Sequence, residues 1–346
     1  ITKHAAPQIS GFDIQNFDNG INAGIIGSKE PTSRDWTVTN ISINGNNEGF
    51  SSGIQADRSS GEFLVRNVDI NNTHFGIRVA RSTGAWQGQN ITINNPQRGG
   101  ISAYQSTGEW AIEDITVNNA GGDGVFAHDS RGDWTVESTT IINASDDGIS
   151  AENTSGQWTL KHVMVNNAGG RGVKFDDSSG NSIIQDIKVT SVESGIEAFT
   201  TTGDWLIENA TVEDATDKGI SVDQSNGSWT IESSTVRNIS GDGIDAFQAD
   251  DGLISNVVVK NITDENGINL GETSGDWVIE DSTIRSVNGP GEAKHGIVTN
   301  AAAGDWTIQN TSIKNISGAG IDAYNQSKSS HATVENLTVT DTKNHG

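Results

Sequence analysis

Gly132-Asp133-Trp134-Thr135-Val136-Glu137, followed after two polar turns by Asp147-Gly148-Ile149-Ser150-Ala151, is the stretch on which the fold turns. The phrase recurs along almost the whole chain. Trp110, Trp134 and Trp158 stand 24 residues apart, as do Trp205 and Trp229. Ile101, Val125, Ile149 and Val173 repeat the interval, and so do Ile196, Ile220, Ile244 and Ile268. A fixed period of this length means stacked structural units that bury their apolar faces against their neighbours. It also means that a functional site shows itself as a local departure from the repeat.

Within one period three short segments alternate apolar and polar residues, the pattern of strands. Gly148-Ile149-Ser150-Ala151 places Ile149 and Ala151 inward, with Ser150 and Glu152 outward. Trp158-Thr159-Leu160-Lys161 places Trp158 and Leu160 inward, and Val163-Met164-Val165 places both valines inward. Strands this short, separated by Gly, Asn, Asp and Ser, do not close a sandwich from hairpins. Coiling the chain so that each strand pairs with its counterpart one period later satisfies the backbone and buries every apolar column. The tryptophans share parity with Val136 and Leu160, so they are read as a core stack.

Asparagine marks the corners. Asn40, Asn67, Asn90, Asn209, Asn256 and Asn310 recur at one; Asn72, Asn95, Asn119, Asn143, Asn167 and Asn261 recur at another. Amides repeated at strand spacing can bond along the column, and they are expected to face inward. These columns resemble the right-handed parallel β-helix of the pectin-lyase-like superfamily, over residues 9 to 341. The resemblance implies inward aliphatic stacks and asparagine ladders. It leaves activity open, because that superfamily holds lyases, hydrolases, viral tailspikes and non-catalytic surface proteins. The expected fold is all-β: a single-domain right-handed parallel β-helix (solenoid) over residues 1–346, of about 13 coils.

Composition narrows the partners. The formal charge is −24, with 21 basic residues and 45 acidic ones. A nucleic acid needs a positive surface and is excluded as the partner. The acid is dispersed along the repeats, which fits a protein from a salt-loving microbe, where screening tolerates such charge. There is no cysteine, hence no disulfide. No apolar stretch reaches membrane-spanning length, and the first residues do not read as a secretory signal.

One outward face departs from the repeat. Two columns of the Gly–Ile strand read Tyr104, His128, Glu152, Asp176, Phe199 and Ser102, Phe126, Ser150, Lys174, Glu197. Aromatic rings beside fixed polar groups suit a sugar, so Tyr104, Phe126, His128, Glu152, Lys174, Asp176 and Phe199 form the candidate glycan surface. No cofactor is expected, with calcium the one possibility, and Glu152, Asp176 and Asp177 are its candidate ligands. Stacked acids elsewhere, Glu113 with Glu137 and Glu208 with Glu232, give the same patch a plain reading as solvated acidic surface.

Catalysis is not expected. Only residues 27–35, 45–52 and 287–295 lengthen the repeat, so no pair of long loops walls a cleft. Asp146-Asp147-Gly148 is similar to a paired-aspartate motif of the pectin-hydrolase branch. However, the Gly-His-Gly and Arg-x-Lys partners are missing, and Gly122-Asp123-Gly124 and Gly241-Asp242-Gly243 repeat the second acid alone, where it reads as a turn opener. Scattered histidines make zinc or copper improbable, and no phosphate loop opens a helix. Asn153, Asn226 and Asn325, in the turn after the Gly–Ile strand, are candidate glycan acceptors if the protein is secreted. Neither end carries a recognisable cap, so the expectation is either an excerpt of a longer array or end-to-end stacking with another copy. The resulting expectation is a non-catalytic extracellular or cell-surface scaffold for adhesion or filament assembly that meets a polysaccharide. A polysaccharide lyase or glycoside hydrolase on the same face is the alternative.

Overall fold

A computed structural model describes residues 8–11, 13–15, 20–22, 35–46, 52–290, 294–326 and 330–343. Most of the expected loops at 27–35 and 45–52, the centre of that at 287–295, and both extreme ends lie outside the described residues. The chain forms two compact units, Ile1–Gly170 and Arg171–Gly346.

In the first unit each coil contributes a tryptophan strand and a Gly–Ile strand, paired in parallel with the same strand of the next coil. Trp36–Asn44, Phe63–Asn71, Trp86–Asn94 and Trp110–Asn118 run continuously through a corner. In later coils the run divides, as in Trp134–Glu137 with Thr140–Ala144. Like meets like: Trp110 is opposite Trp86 on one side and Trp134 on the other. The Gly–Ile strands Phe75–Ala80, Ile101–Tyr104, Val125–His128 and Ile149–Glu152 form the opposing sheet, with Ile101, Val125 and Ile149 in register.

The second unit repeats the plan in three short strands per coil. Trp205–Glu208, Thr211–Ala215 and Ile220–Ser221 are one set, and Trp229–Glu232, Thr235–Ile239 and Ile244–Asp245 are the next. All pairings are again parallel, with Trp205 on Trp229 and Ile220 on Ile244.

The alternation read from the sequence holds in the core. Trp158, Leu160, Val163 and Val165 are buried, while Met164 between the valines is exposed. The indoles stack: Trp134 lies 4.3 Å from Trp110 at 15° and 4.6 Å from Trp158 at 10°. Parallel offset rings at this separation gain from both dispersion and area burial.

The asparagine ladders exist but do not face inward. Asn67 Nδ2 donates to Asn40 Oδ1 and Asn90 Nδ2 to Asn67 Oδ1, each at 2.9 Å, on the exposed surface. Asn119, Asn143 and Asn167 form a second exposed column through bonds of 2.8 Å. The cause is backbone: these residues hold φ between 52° and 60°. A left-handed residue turns the corner and breaks the in–out alternation, so its side chain projects along the edge. Asparagine tolerates that conformation better than other residues with a Cβ. Asn143→Ala places alanine in the left-handed region and removes one bond to each neighbour. It is expected to destabilise the first unit by about 2 kcal/mol, read by urea denaturation. Asn143→Gly keeps the turn and should lose about half as much. Equal losses would mean that the ladder contributes nothing.

Candidate functional site

The outer face of the Gly–Ile sheet in the first unit is a trough. Ile101, Ala103, Val125, Ala127, Ile149 and Ala151 turn fully inward, which sends the alternate residues outward. Yet Ser102 and Ser150, read from the sequence as surface residues, are 6% and 1% exposed. The residues that precede each strand stand beside this column and cover it. Together with residues of the strands themselves they line an open recess of about 380 Å³, bounded by Arg78, Arg98, Ser102, Tyr104, Asp123 and Phe126, with Phe75, Asp146 and two glycines completing it. A Cβ on Gly99 would lie 3.6 Å from the Phe75 ring, and one on Gly122 would lie 3.5 Å from Asp146 Oδ2. The missing side chains keep the space open. A walled recess therefore exists without long loops.

Asp123 is the chemically poised group. Its Oδ1 accepts the Asp147 backbone N–H at 2.9 Å. Burial, reinforced by the charges of Asp147, Asp146 and Glu152, outweighs that bond and pushes its pKa up to about 7. Such a carboxyl exchanges a proton near neutral pH. Arg78 and Arg98 bring fixed positive charge to the same cavity, the form of charge that holds a carboxylate. The turn-opener reading of Gly122-Asp123-Gly124 is thus too plain, because a solvated turn acid would titrate near its ordinary value. The same holds for Asp242 in the second unit, which is 7% exposed and also raised to about 7 by burial first and Asp245 second.

The aromatic residues at the cavity's edge form a stack. The rings of Tyr104 and His128 lie 5.6 Å apart at 13°, and those of Phe126 and His128 lie 5.9 Å apart at 12°. The Arg81 guanidinium sits 5.9 Å from the Tyr104 ring centroid. His128 Nδ1 approaches Glu152 Oε2 and Nε2 approaches Asp129 Oδ2, both at 3.5 Å. Tyr104 and His128 therefore use ring faces on each other along the stack. Both His128 nitrogens face carboxylates, which leaves the Tyr104 hydroxyl and the edge of the Phe126 ring for a ligand.

The other sequence-derived candidates belong to the second unit. Lys174 Nζ lies 3.8 Å from Asp176 Oδ2 two residues along the same strand. Asp176 is in register with Phe199, and Lys174 with Glu197, whose Oε1 accepts Arg171 Nε at 3.3 Å. Of the candidate calcium ligands, Glu152 lies in the first unit and Asp176 and Asp177 in the second. Asp177 Oδ1 accepts the Thr200 hydroxyl at 2.5 Å. Among the described residues no group of three or more imidazoles and carboxylates is gathered as metal ligands. Nor is any helix there long and apolar enough to cross a membrane. Asn153, Asn226 and Asn325 are exposed, and Asn153 Nδ2 donates to Asp129 Oδ1.

Sequence reading reached Tyr104, Phe126 and their neighbours, but missed Arg78 and Arg98 and took Asp123 only as a turn opener. Arg98 and Asp123 precede the strand and fall outside its alternation. The usable signal was the pair of arginines in an acidic chain.

Among curated proteins no match is found. Among solved structures, the A-module of an Azotobacter vinelandii mannuronan C-5 epimerase superposes with a TM-score of 0.60 at 12% identity, over 89% of each chain. A periplasmic alginate epimerase superposes with a TM-score of 0.55 at 11% identity, over 90% of this chain and 76% of that one. At such identity the likeness establishes the fold. Both are nevertheless enzymes, which corrects the expectation of a non-catalytic scaffold: this fold can carry catalysis. The family model for the right-handed β-helix region matches residues 23–189, 99–227 and 194–346, and the chain belongs to that family.

Proposed function

We propose that this protein is an extracellular or cell-surface enzyme that modifies an acidic polysaccharide, and that its chemistry is proton transfer at the sugar carbon next to the carboxylate. The observation that carries this reading is the cavity, where two arginines and a carboxyl with a pKa of about 7 meet aromatic side chains. The fold shared with two epimerases supports it.

Removing a proton next to a carboxylate is difficult, because charge builds on a group that is already negative. Cations on that group relieve the build-up. Arg78 and Arg98 would hold the carboxylate, and ionised Asp123 would take the proton. Return of a proton to the opposite ring face gives the epimer. The hydroxyl of Tyr104, which lines the same cavity, would serve as the acid on that opposite face.

The experiment is incubation with polymannuronate and polygalacturonate in deuterated water. Deuterium entering at C-5 is the expected result. An unsaturated product seen by ultraviolet absorbance would mean that the same abstraction ends in elimination. New reducing ends without either signal would sink the proton-transfer reading in favour of hydrolysis. Arg78→Gln and Arg98→Gln should each raise KM about tenfold or more, since each removes a charge-assisted hydrogen bond. An unchanged KM in both would remove the arginines from the site.

A further inference from the structure

The second unit carries a row of cations on the strands Thr235–Ile239, Val258–Ile262, Thr283–Val287 and Ser312–Ile316. Arg237, Lys260, Arg285 and Lys314 lie in register on four successive coils. Neighbouring parallel strands are about 4.8 Å apart, so four like charges are stacked at that spacing. Arg237 is neutralised by Glu213, which also holds Lys188 Nζ at 3.0 Å. Lys314 Nζ lies 3.9 Å from Asp341 Oδ2, with both groups largely in solvent. Between them Lys260 is half-buried and Arg285 exposed. Among the described residues, neither has an ion-pair partner.

The first unit fills this position of the repeat differently. Asn71, Asn94 and Asn118 occupy it, with Asn94 Nδ2 donating to Asn71 Oδ1 at 2.9 Å and Asn118 Nδ2 to Asn94 Oδ1 at 2.8 Å. An amide column satisfies itself, being donor and acceptor at once. A column of cations cannot, and like charges directly opposite on paired strands destabilise the sheet. Such a row in a chain of charge −24 calls for an anion from outside.

Its surroundings describe that anion. The neighbouring outward column is Thr235, Val258, Thr283 and Ser312, short side chains that leave the surface low. On the other side stand the edge residues Asn238, Asn261, Ser286 and Asn315. Cations flanked by hydroxyls and amides match a chain with one acidic group and several hydroxyls per unit. We infer that this row is a second, non-catalytic docking surface for a linear acidic polysaccharide running along the coils. A nucleic acid fits less well: its dense phosphates would meet the acid elsewhere on the unit, and no aromatic side chain lies in the row to stack a base. The ligand class is that of the proposed reaction, but the inference rests on the second unit alone.

The test is fluorescence anisotropy with a labelled oligouronate spanning four coils, against the full chain carrying Arg78→Gln and Arg98→Gln so that the cavity contributes little. Binding should persist there, weaken with salt, and fall about tenfold or more on adding Lys260→Glu and Arg285→Glu. Lys260→Gln with Arg285→Gln should also lose affinity while melting no lower than its parent, since the repulsion is gone. That excludes misfolding as the cause. Undiminished binding in either double variant overturns the inference, as does an oligothymidylate that binds as tightly as the oligouronate. Unimpaired turnover in the Arg78→Gln, Arg98→Gln chain with binding to the row intact would count against the cavity and leave the row standing.

Discussion

Asp123→Asn is expected to reduce turnover by at least about 100-fold and, in the same protein, to raise the melting temperature above pH 7. The first effect is the usual contribution of a positioned acid–base group. The second follows from the direction of the pKa shift. The Asp123 carboxyl titrates at about 7 in the folded chain against an ordinary value of 3.8. Below pH 4 it is protonated in both states and has no differential effect. From there to about pH 7 the unfolded chain releases the proton and the folded chain does not, so stability falls as pH rises. The full loss corresponds to at most about 4 kcal/mol at ~1.4 kcal/mol per unit, less to the extent that water enters the cavity. Asparagine carries no charge, and its Oδ1 can still accept the Asp147 N–H. The stability gap between variant and parent should therefore be small at pH 4 and widest at pH 8. The parent's kcat/KM should climb with pH through about 7. Thermal melts across that range, with the deuterium assay, check both parts. A variant that loses activity and stability together would make Asp123 a structural acid.

Trp134→Ala should have the largest effect on folding, about 3–5 kcal/mol. Trp134 is 1% exposed and stacks on an indole in each neighbouring coil. Truncation leaves a void that cannot collapse, because the coil spacing is held by backbone bonds on both sides, such as Trp134 N–H to Gln157 O at 2.8 Å and Trp110 N–H to Asp133 O at 2.9 Å. Stability of a stacked repeat is roughly a sum of coil and interface terms, so two interfaces weaken at once. Thr135→Ala, on the outward side of the same strand, should change stability by less than about 0.5 kcal/mol. Urea denaturation of the two variants decides it. A loss under 1 kcal/mol for Trp134→Ala would mean that the tryptophans are not the core.

The fold was legible because the chain repeats a simple rule. Spacing gave the coil, and the shared parity of Trp158 and Leu160 gave the inward face. Where alternation is interrupted, that reading failed. The left-handed corner at Asn143 reverses the side chain's direction, so a ladder read as inward stands on the surface. The trough went unseen because glycines at 99 and 122 create it. An absence of side chains in space has no signature in a pattern of side chains. Asp123 was seen, but its environment depends on residues from neighbouring coils. Even the cation row, which needs only residue types, was hidden by uneven spacing. Its steps are 23, 25 and 29 residues, set by coils that lose or gain a few positions in their turns.

The like-on-like register has a consequence for how such a chain can change over generations. Most described coils of the first unit offer their neighbours a like surface: tryptophan for tryptophan except at Phe63, a β-branched residue for a β-branched residue, and in several coils a corner amide for a corner amide. Loss of one period that set Trp110 against Trp158 would join two surfaces already built to meet. Length can therefore vary in whole coils without an intermediate that fails to fold. Chemistry, by contrast, arises from unlike residues on adjacent coils, as with Arg98 and Asp123, and does not survive a change in their order. Duplication and deletion thus act as a gentle operation on the scaffold and a drastic one on the cavity, so the body of the molecule is free to lengthen while a few consecutive coils are inherited as a block.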